Sequence, residues 1–577
     1  MKILAMVLLL VCTDTSIGAT CFYVSPDGSD LSPGTKNKPF RTIARAKDAV
    51  RAVNRDMSDS IIVYLRGGTY RLADGVRFEP SDSGTNGHCI VYRNYPDETA
   101  VISGGIEITG WTDIGKGIYK APVDRNVDFR QIHVNGTPAT RARHPNDRGP
   151  IAASFYDIAA VDRTNRIMKV NTTEIDTWAS SMAPERFRDV EVFMLNHFEC
   201  SFYRLESYTA DGAVADILLQ EPERTRAFST LLTMKSGLYY RYENALEFLD
   251  NPGEWYLNTD TDELFYMPRT GENMATAEVI APIVERLIFI QGHLDGPMVE
   301  NLRFEGLSFE HTTWMLPSQE GFKGHQGGAY EVDEKVDPRV PWPRGWMPGG
   351  VEVEAASNVH FCRSTFRNMG GAGLATTFAV RNLFIEGNVF TQIAGNGMTI
   401  NRHSCYRPIY GCGVWPDGTA GTPPDERYVT DGVAIRNNHV FEVGCVYTSG
   451  VGILCGFVSN CTIEHNNVHD LNYTGISVGW GWDVADFDTV VMENNYVQCN
   501  RVHSVMRYHD DGAGIYTLGR QGNSRSGDSH SHIRENYIHD IQRAPIVGSS
   551  PVAGVYNDQG SNLISVERNV IRNVDKK

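Results

Sequence analysis

The chain has little cysteine, no long apolar run in its interior and no concentration of positive charge. Its 577 residues include 11 cysteines, and the ten that remain without Cys12 are too sparse for a fold held together by disulfides. None of them has the spacing to histidine that zinc sites use, so we predict no metal and no cofactor. No stretch beyond the N-terminal segment reaches the roughly eighteen apolar residues of a membrane helix.

The charge of the chain excludes further classes of partner. The formal net charge is −17 and no basic stripe interrupts it. Such a surface repels phosphate groups, so we expect no nucleic-acid partner and no membrane partner. A neutral or modestly acidic ligand is compatible with this charge. The 25 Tyr, 24 Phe and 9 Trp include enough aromatic faces to stack on sugar rings. We expect a monomer.

The first residues have the pattern of an export signal. Lys2 precedes an apolar run over residues 3–11, and the small residues Ser16, Gly18 and Ala19 offer a cleavage site. We therefore predict a signal peptide over residues 1–19 and a secreted or periplasmic mature chain that begins near Thr20.

The last third of the chain carries a repeated frame in which asparagine alternates with apolar residues. The copies are Ile385/Asn388/Phe390/Ile393, Ile435/Asn438/Val440/Val443, Ile463/Asn466/Val468/Leu471, Met492/Asn495/Val497, Ile533/Asn536/Ile538/Ile541 and Val566/Asn569/Ile571/Val574. The fourth copy breaks the frame, with Asn500 at its last apolar place. Each of the first five copies is followed by glycine and an apolar residue. A unit of about thirty residues with insertions of variable length indicates a solenoid.

The alternation in each copy is that of a strand, since helical repeats need longer stretches with apolar residues at 3.6 spacing. We therefore predict an all-β fold, a right-handed parallel β-helix whose asparagines stack at one corner. The repeat vanishes between residues 106 and 283, where short alternating strands and polar turns indicate an inserted β-rich domain. The predicted division is an N-terminal cap and first coils over 20–105, the inserted domain over 106–283 and the main β-helix, which carries the active site, over 284–577.

Two aspartates are candidates for catalysis because they lie in adjacent coils. Asp511 precedes Gly512, and Asp558 follows the strand after Gly554. Neighbouring strands lie about 4.8 Å apart, so both carboxyl groups could face one groove, and such a pair is what glycoside hydrolysis requires. On spacing alone, a turn-capping role beside glycine is slightly favoured over catalysis.

Further residues near this pair are candidates for substrate binding. If residues 509–511 form a strand, His509 and Asp511 share a face and Asp510 lies opposite. Trp480 and Trp482, separated by one glycine, point the same way on a strand and suit either a sugar-stacking platform or a local packing cluster. The substrate-binding candidates are Trp480, Trp482, Asp483, His509, Asp510 and Tyr516. Asp483 and Asp486 are reserve catalytic carboxylates.

Several segments resemble one family of β-helix proteins. They are residues 23–30 with Pro33-Gly34-Thr35, residues 65–70, residues 252–257, residues 473–482 and residues 514–519. Over nearly the whole mature chain the sequence resembles glycoside hydrolase family 141, of pectin-lyase-like fold. The resemblance implies an α-L-fucosidase acting on the pectin rhamnogalacturonan II, or a xylanase, and places the family's two catalytic aspartates on Asp511 and Asp558. Gln559 departs from the family, in which an acidic residue is common there, and the segment from Gln521 to His532 is longer than usual.

Two other classes of function are compatible with this fold. A polysaccharide lyase acting on uronate-containing glycan would use a cationic base, and Arg501, Arg507 and Arg520 make that possible. A non-catalytic glycan-binding β-helix would use the tryptophans without needing either aspartate.

Overall fold

The structure is a computed structural model that describes residues 19–147, 151–229, 233–331, 344–401, 429–479, 492–522, 530–544 and 548–576. Successive coils of the chain each add one strand to three parallel sheets, so the fold is the predicted right-handed parallel β-helix. The first sheet contains β1 (Thr20–Val24), β2 (Ile61–Leu65), β5 (Ile90–Asn94), β25 (Val299–Glu305), β31 (Ala356–Cys362), β34 (Val380–Glu386), β37 (Thr430–Arg436), β40 (Val458–Ser459), β41 (Thr462–Glu464), β44 (Tyr496–Gln498), β47 (Ser531–Arg534) and β50 (Ile564–Glu567).

The other two parallel sheets close each coil. The second contains β3 (Gly68–Arg71), β6 (Ala100–Ser103), β26 (Leu307–Glu310), β32 (Thr365–Met369), β35 (Val389–Ile393), β38 (His439–Phe441), β42 (Asn467–His469), β45 (Arg501–His503), β48 (Tyr537–Ile541) and β51 (Val570–Val574). The third contains β4 (Val76–Phe78), β24 (Ile288–Gln291), β30 (Gly349–Glu354), β33 (Ala372–Thr376), β36 (Met398–Ile400), β39 (Ile453–Cys455), β43 (Ile476–Val478), β46 (Gly512–Thr517) and β49 (Val552–Asn557).

A ladder of asparagines forms one corner of the β-helix, as predicted. Each side-chain oxygen accepts from the backbone N–H and the amide of the asparagine one coil earlier, as Asn466 Oδ1 does from Asn438 at 2.9 Å for both bonds. Each amide also donates to a backbone carbonyl, in this case that of Ile435 at 2.9 Å. Because these groups are buried, the ladder gives hydrogen-bond partners to polar atoms that would otherwise destabilise this corner in each coil.

The predicted frame is wrong in the fourth copy. Asn500, and not Asn495, continues the ladder, because Asn500 Oδ1 accepts from Asn466 and its amide donates to Asn536 at 3.0 Å. The strand pairing agrees, since Val497 lies opposite Ile463. Asn495 instead accepts from the backbone N–H of Cys461. The fourth copy is therefore shifted by five residues in the sequence, and Asn500 does not break the pattern.

The interior of the β-helix is stacked in register. Ile435 pairs with Ile463 and Ile533 pairs with Val566, with Val497 between the two pairs. The three isoleucines are at most 1% exposed, as predicted, whereas Val566 is 44% exposed. Val566 lies on the last described coil, and no described coil covers it.

Glycine is required where one coil passes close to the next. A Cβ on Gly475 would lie 2.7 Å from the carbonyl oxygen of Gly514, and one on Gly514 would lie 3.0 Å from that of Gly554. The glycine that follows each repeat therefore allows the close approach of the third sheet's strands.

Helix α1 (Ile43–Arg51) packs at the N-terminal end of the β-helix. Thr42 caps it by accepting from the backbone N–H of Arg45, and the helix buries Ile43, Ala46 and Val50. The helix ends at Arg51, and Val53 beyond it is 47% exposed.

Antiparallel sheets occupy the segment between β6 and β24. Their strands are β7 (Gly105–Glu107), β8 (Thr112–Asp113), β9 (Tyr119–Pro122), β10 (His133–Val134), β11 (Thr137–Pro138), β12 (Thr140–Arg141), β13 (Arg143–His144), β14 (Tyr156–Asp157), β15 (Ala160–Asp162), β16 (Ile167–Asn171), β17 (Glu191–Asn196), β18 (Glu199–Asp211), β19 (Val214–Leu219), β20 (Tyr239–Glu243), β21 (Glu254–Asn258), β22 (Glu263–Tyr266) and β23 (Val279–Pro282). Helices α2 (Thr172–Ala179), α3 (Pro184–Phe187) and α4 (Glu223–Ala227) join them. The β17–β18 hairpin turns at His197 and Phe198.

A further segment crosses from the β-helix to these sheets. It contains α5 (Leu316–Glu320), β27 (Phe322–Lys323), β28 (Ala329–Glu331) and β29 (Arg344–Trp346), and β27 pairs with β18. Aromatic contacts fix the junction, since Phe322 and Phe202 both pack on Tyr447 of the β-helix.

No helix in the described part of the chain is long and apolar enough to cross a membrane.

Half of the eight cysteines within these ranges are buried. Cys455 and Cys461 are buried free thiols in the coils, whereas Cys445 is exposed and Cys499 is half-buried. Cys405 and Cys412, which could bridge a loop, lie outside the described residues.

Candidate active site

The two candidate aspartates flank a pair of neighbouring strands in the third sheet. Strands β46 and β49 run in parallel, with Gly512 opposite Val552 and Thr517 opposite Asn557. Asp511 immediately precedes β46, and Asp558 immediately follows β49. Asp511 has a left-handed backbone with φ 58°, which aspartate tolerates better than most residues. The backbone N–H of Asp558 donates to Thr517 O at 2.9 Å, which holds Asp558 against the neighbouring coil.

Two tyrosines bring the carboxyl groups to one site. Tyr516 and Tyr556 pair across β46 and β49, and their rings meet edge to face at 5.3 Å. The Tyr516 hydroxyl donates to Asp558 Oδ2 at 2.5 Å, and the Tyr556 hydroxyl donates to Asp511 Oδ1 at 3.4 Å. Burial, followed by the charges of Asp558 and Asp511, raises the pKa of Tyr556. The hydroxyl of Tyr556 therefore lies near both carboxylates, and the structure brings the two aspartates together.

The surroundings of Asp511 favour its protonated form. Burial raises its pKa to about 6, and the nearby charges of Asp558 and Asp510 act in the same direction. His197 and the hydrogen bond from Tyr556 lower it by less. A carboxylic acid that keeps its proton close to neutral pH can serve as a general acid.

Residues 509–511 do not form the expected strand, and His509 does not share a face with Asp511. His509 is fully buried and its Nδ1 donates to the carbonyl oxygen of His197 at 2.8 Å, so its Nε2 accepts from the Thr448 hydroxyl. Burial lowers the pKa of His509 to about 4. The expectation of substrate contact by His509 is therefore wrong, because the imidazole is neutral and enclosed.

Asp510 is also fully buried, so its carboxylate has no exposed surface for the expected contact with substrate. Its Oδ1 lies 3.3 Å from His197 Nδ1, its Oδ2 accepts from the backbone N–H of Ser550 at 3.1 Å, and Arg543 lies 3.7 Å away. A buried carboxylate needs such partners to remain charged. Asp510 therefore anchors the coil beside Asp511 and contributes negative charge to the site.

Two residues of the site were not identified from the sequence. Gln326 is 3% exposed, and its amide donates to the Tyr473 hydroxyl at 3.0 Å. That hydroxyl donates in turn to the backbone oxygen of Asp511 at 2.7 Å. Gln326 Oε1 has no hydrogen-bond partner among the described residues. Gln326 lies between β27 and β28, where no repeat in the sequence marks it.

Of the other predicted substrate-binding residues, Tyr516 lies in the site, where it is 1% exposed and holds Asp558. Trp480, Trp482, Asp483 and Asp486 lie outside the described residues. Within the described part of the chain, no group of three or more histidine, cysteine, aspartate or glutamate side chains could hold a metal ion.

Comparison with solved structures identifies relatives over the full chain. A structure described as a glycoside hydrolase is 31% identical, covers 96% of this chain and 95% of that chain, and superposes with a TM-score of 0.84. A family model, the GH141 insertion domain, matches residues 119–269. The chain belongs to glycoside hydrolase family 141. Residues 119–269 of this family 141 glycoside hydrolase lie in the antiparallel sheets described above, which we call the insertion domain.

Curated relatives match shorter segments of the family 141 chain. Uncharacterized protein YwoF of Bacillus subtilis (strain 168) is 38% identical over 114 residues, which is 20% of each chain. Pectate lyase PEL9 of Emericella nidulans is 37% identical over 86 residues, which is 15% of this chain and 19% of that one. The match thus spans about a fifth of the length of these relatives.

Proposed function

We propose that the protein hydrolyses a glycosidic bond of a plant cell-wall polysaccharide with Asp511 and Asp558 as the catalytic pair. The observation that carries this proposal is the tyrosine-linked pair of carboxyl groups on adjacent coils, of which Asp511 is poised to hold a proton. A pair with one protonated and one ionised carboxyl group is what hydrolysis of glycosides needs.

In the proposed reaction the two aspartates have different roles. Asp511 gives its proton to the glycosidic oxygen as the bond from that oxygen to the anomeric carbon breaks. Asp558, whose Oδ2 accepts from the Tyr516 hydroxyl, either attacks the anomeric carbon or takes a proton from an attacking water. The anomeric form of the first product distinguishes these two roles, since direct attack by the carboxylate leads to retention and attack by water leads to inversion.

The charge of the site favours a neutral sugar at the point of cleavage. Asp558 and Asp510 are close enough to Asp511 to raise its pKa, and their negative charges repel a uronate. Among the activities that the family resemblance implies, we propose α-L-fucosidase action on pectin rhamnogalacturonan II side chains ahead of xylanase action. We also propose that the protein acts as a secreted or periplasmic monomer.

The contacts of two candidate lyase arginines argue against a polysaccharide lyase. Arg501 donates to His539 on the second sheet, and Arg507 lies 3.6 Å from Asp470. These contacts keep both guanidinium groups with partners other than the two aspartates. A lyase would need a cationic base and neutralised uronate at the reacting carbon.

The test is a screen of the parent protein against fucosylated pectin fragments, xylan and polygalacturonate, in which released sugar and ultraviolet absorbance are followed together. We expect released sugar without absorbance, because only lyase products carry an unsaturated bond. Asp511→Asn and Asp558→Asn should each lose several orders of magnitude in hydrolysis with folding unchanged, whereas the surface variant Asp470→Asn should retain activity. Near-normal turnover in both active-site variants would refute the assignment.

A further inference from the structure

A cavity of about 450 Å³ opens in the insertion domain, and neither Asp511 nor Asp558 lines it. Its apolar lining comes from Phe129, Trp255 and Leu257, which belong to the core of the insertion domain. Exposed polar residues, among them Asp189 and Asp260, complete the lining. An apolar surface beside hydrogen-bonding groups is the composition of sites that bind small organic ligands, and the volume is within their usual range of roughly 300–1,000 Å³.

The cavity continues into a second one of about 250 Å³. Asp128, Leu257 and Thr259 line both. Together they form a groove, which we call the insertion-domain groove, and two connected cavities can hold more than one unit of a chain ligand.

Polar groups in the insertion-domain groove lack partners within the protein. Trp255 is 1% exposed, and its indole Nε1 has no hydrogen-bond partner among the described residues. Protein atoms crowd the side chain of Asp189 although solvent reaches it, and this desolvation, with the charge of Asp260, raises its pKa to about 6. The partly desolvated carboxyl group of Asp189, which solvent reaches, would gain hydrogen bonds from a hydroxylated ligand.

The balance of charge selects the kind of ligand. Arg130 and Arg141 both contact Glu191 at 2.7 Å, which leaves one positive charge. Arg188 and Arg204 are paired with Glu206 and Glu223. The remaining charged lining residues, Asp128, Glu185, Asp189 and Asp260, are all acidic. This excess of carboxylates repels uronates and phosphates, while the absence of a metal-binding cluster among the described residues and the apolar lining argue against a bare cation. A neutral sugar satisfies both conditions.

We propose that the insertion-domain groove binds neutral sugar residues of a glycan chain, apart from the site of cleavage. Strand β17 joins the two places, because Glu191 at its start lines the groove and His197 beyond its end contacts Asp510. Six residues of strand span roughly 20 Å, so one polymer could occupy both. The inference rests on the proposed function only in taking the bound glycan to be part of the substrate.

The binding test uses the full chain with Asp511→Asn and Asp558→Asn, so that no probe is cleaved. Titration calorimetry is done with xylohexaose, arabinohexaose and a fucosylated xyloglucan oligosaccharide as neutral probes and hexagalacturonate as the anionic probe. Thr259→Trp fills the groove where the two cavities meet. Thr209→Trp, on an exposed position of β18 away from the groove, is the matched control.

We expect at least one neutral probe to bind, Thr259→Trp to weaken that binding about tenfold or more, and Thr209→Trp to leave it unchanged. Asp189→Asn with Asp260→Asn should weaken it as well, which covers the case of a misfolded Thr259→Trp. Equal binding by all variants, tighter binding of hexagalacturonate, or no binding by any neutral probe would overturn the proposal.

A kinetic experiment separates this inference from the proposed function. In an otherwise unaltered protein, Thr259→Trp should raise KM for the polymer and leave cleavage of a short aryl glycoside unchanged. A parent that cleaves nothing contradicts the proposed function but leaves the calorimetric result standing. A parent that cleaves normally with no effect of Thr259→Trp on binding contradicts only the groove.

Discussion

The imidazole Nδ1 of His197, at the turn of the β17–β18 hairpin, lies 3.3 Å from Oδ1 of Asp510, the residue next to the proposed acid. The insertion domain therefore reaches the catalytic coil and changes its electrostatics. Asp511 is surrounded by the carboxylates of Asp558 and Asp510, the hydroxyls of Tyr556 and Tyr473, and His197. Arg543 also contacts Asp510, at 3.7 Å from Oδ2.

His197 and Asp510 should have opposite effects on the pH dependence of kcat/KM. The charge of Asp510 raises the pKa of Asp511 and His197 lowers it. The acid must be protonated, so activity should fall as pH rises through the Asp511 pKa of about 6. His197→Gln should move this alkaline limb to higher pH, and Asp510→Asn should move it to lower pH.

The measurement is a pH–rate profile for each variant, with thermal unfolding as the control for folding. The asparagine oxygen in Asp510→Asn can still accept from the backbone N–H of Ser550, so the local fold should persist. Limbs that move in the same direction in both variants, or do not move, would contradict the proposed role of Asp511.

The coils could be predicted from the sequence because each repeat contacts the next at a fixed register. Asn438, Asn466 and Asn536 lie at one corner for that reason. The shift at Asn495 could not be predicted, since both Asn495 and Asn500 lie near apolar residues and only strand pairing decides between them. Glycine-marked turns place Asp511 and Asp558 on adjacent coils, but only the resemblance to family 141 favoured catalysis over a turn-capping role.

The contacts that shape the site were beyond sequence reasoning. His197 and Asp510 are separated by 313 residues, and Gln326 and Tyr473 by 147 residues. Nothing in the sequence near His197 or Gln326 repeats, so no periodic pattern reports where those side chains lie. The expected alternation over residues 509–511 failed because Asp511 adopts a left-handed backbone at φ 58°.

Tyr516→Phe should lower kcat without unfolding the protein. The variant removes the hydroxyl that donates to Asp558 Oδ2 but keeps the buried ring. Loss of a hydrogen bond to a charged group is worth about 1.5–3 kcal/mol, so we expect a fall of roughly tenfold to a hundredfold in kcat. Steady-state kinetics with a thermal melt checks this result. Tyr496→Phe, on an outer face of the first sheet, is the control and should leave kcat unchanged.

Asn466→Leu should destabilise the β-helix strongly. The change leaves the backbone N–H and amide of Asn438, and the carbonyl of Ile435, without their buried partner. Each unsatisfied buried group costs about 1–3 kcal/mol, so the free energy of unfolding should fall by at least about 3 kcal/mol. Asn569→Leu, on the last described coil, should cost less, because Asn569 is only half-buried where it bonds to Asn536 and to the carbonyl of Ile533. Urea unfolding of both variants measures the difference. Equal losses in the free energy of unfolding would contradict a larger contribution from the asparagines in the interior of the ladder.

His509 should make the protein less stable in acid. Burial lowers the pKa of His509 to about 4 in the folded state, against about 6.5 in an unfolded chain. Between these values the unfolded chain binds the extra proton and the folded chain does not. The stability that His509 contributes is therefore present above pH 6.5 and is lost as pH falls towards 4.

His509→Gln removes this proton linkage, while the glutamine can still donate to the carbonyl oxygen of His197 that His509 contacts. The difference in free energy of unfolding between parent and variant should shrink as pH falls from 7 to 4.5. Urea unfolding at several pH values measures it, with the exposed His293→Gln as a control that should show no such trend. A difference that stays constant over this range would show that the imidazole takes up a proton without unfolding, and would contradict its enclosure between His197 and Thr448.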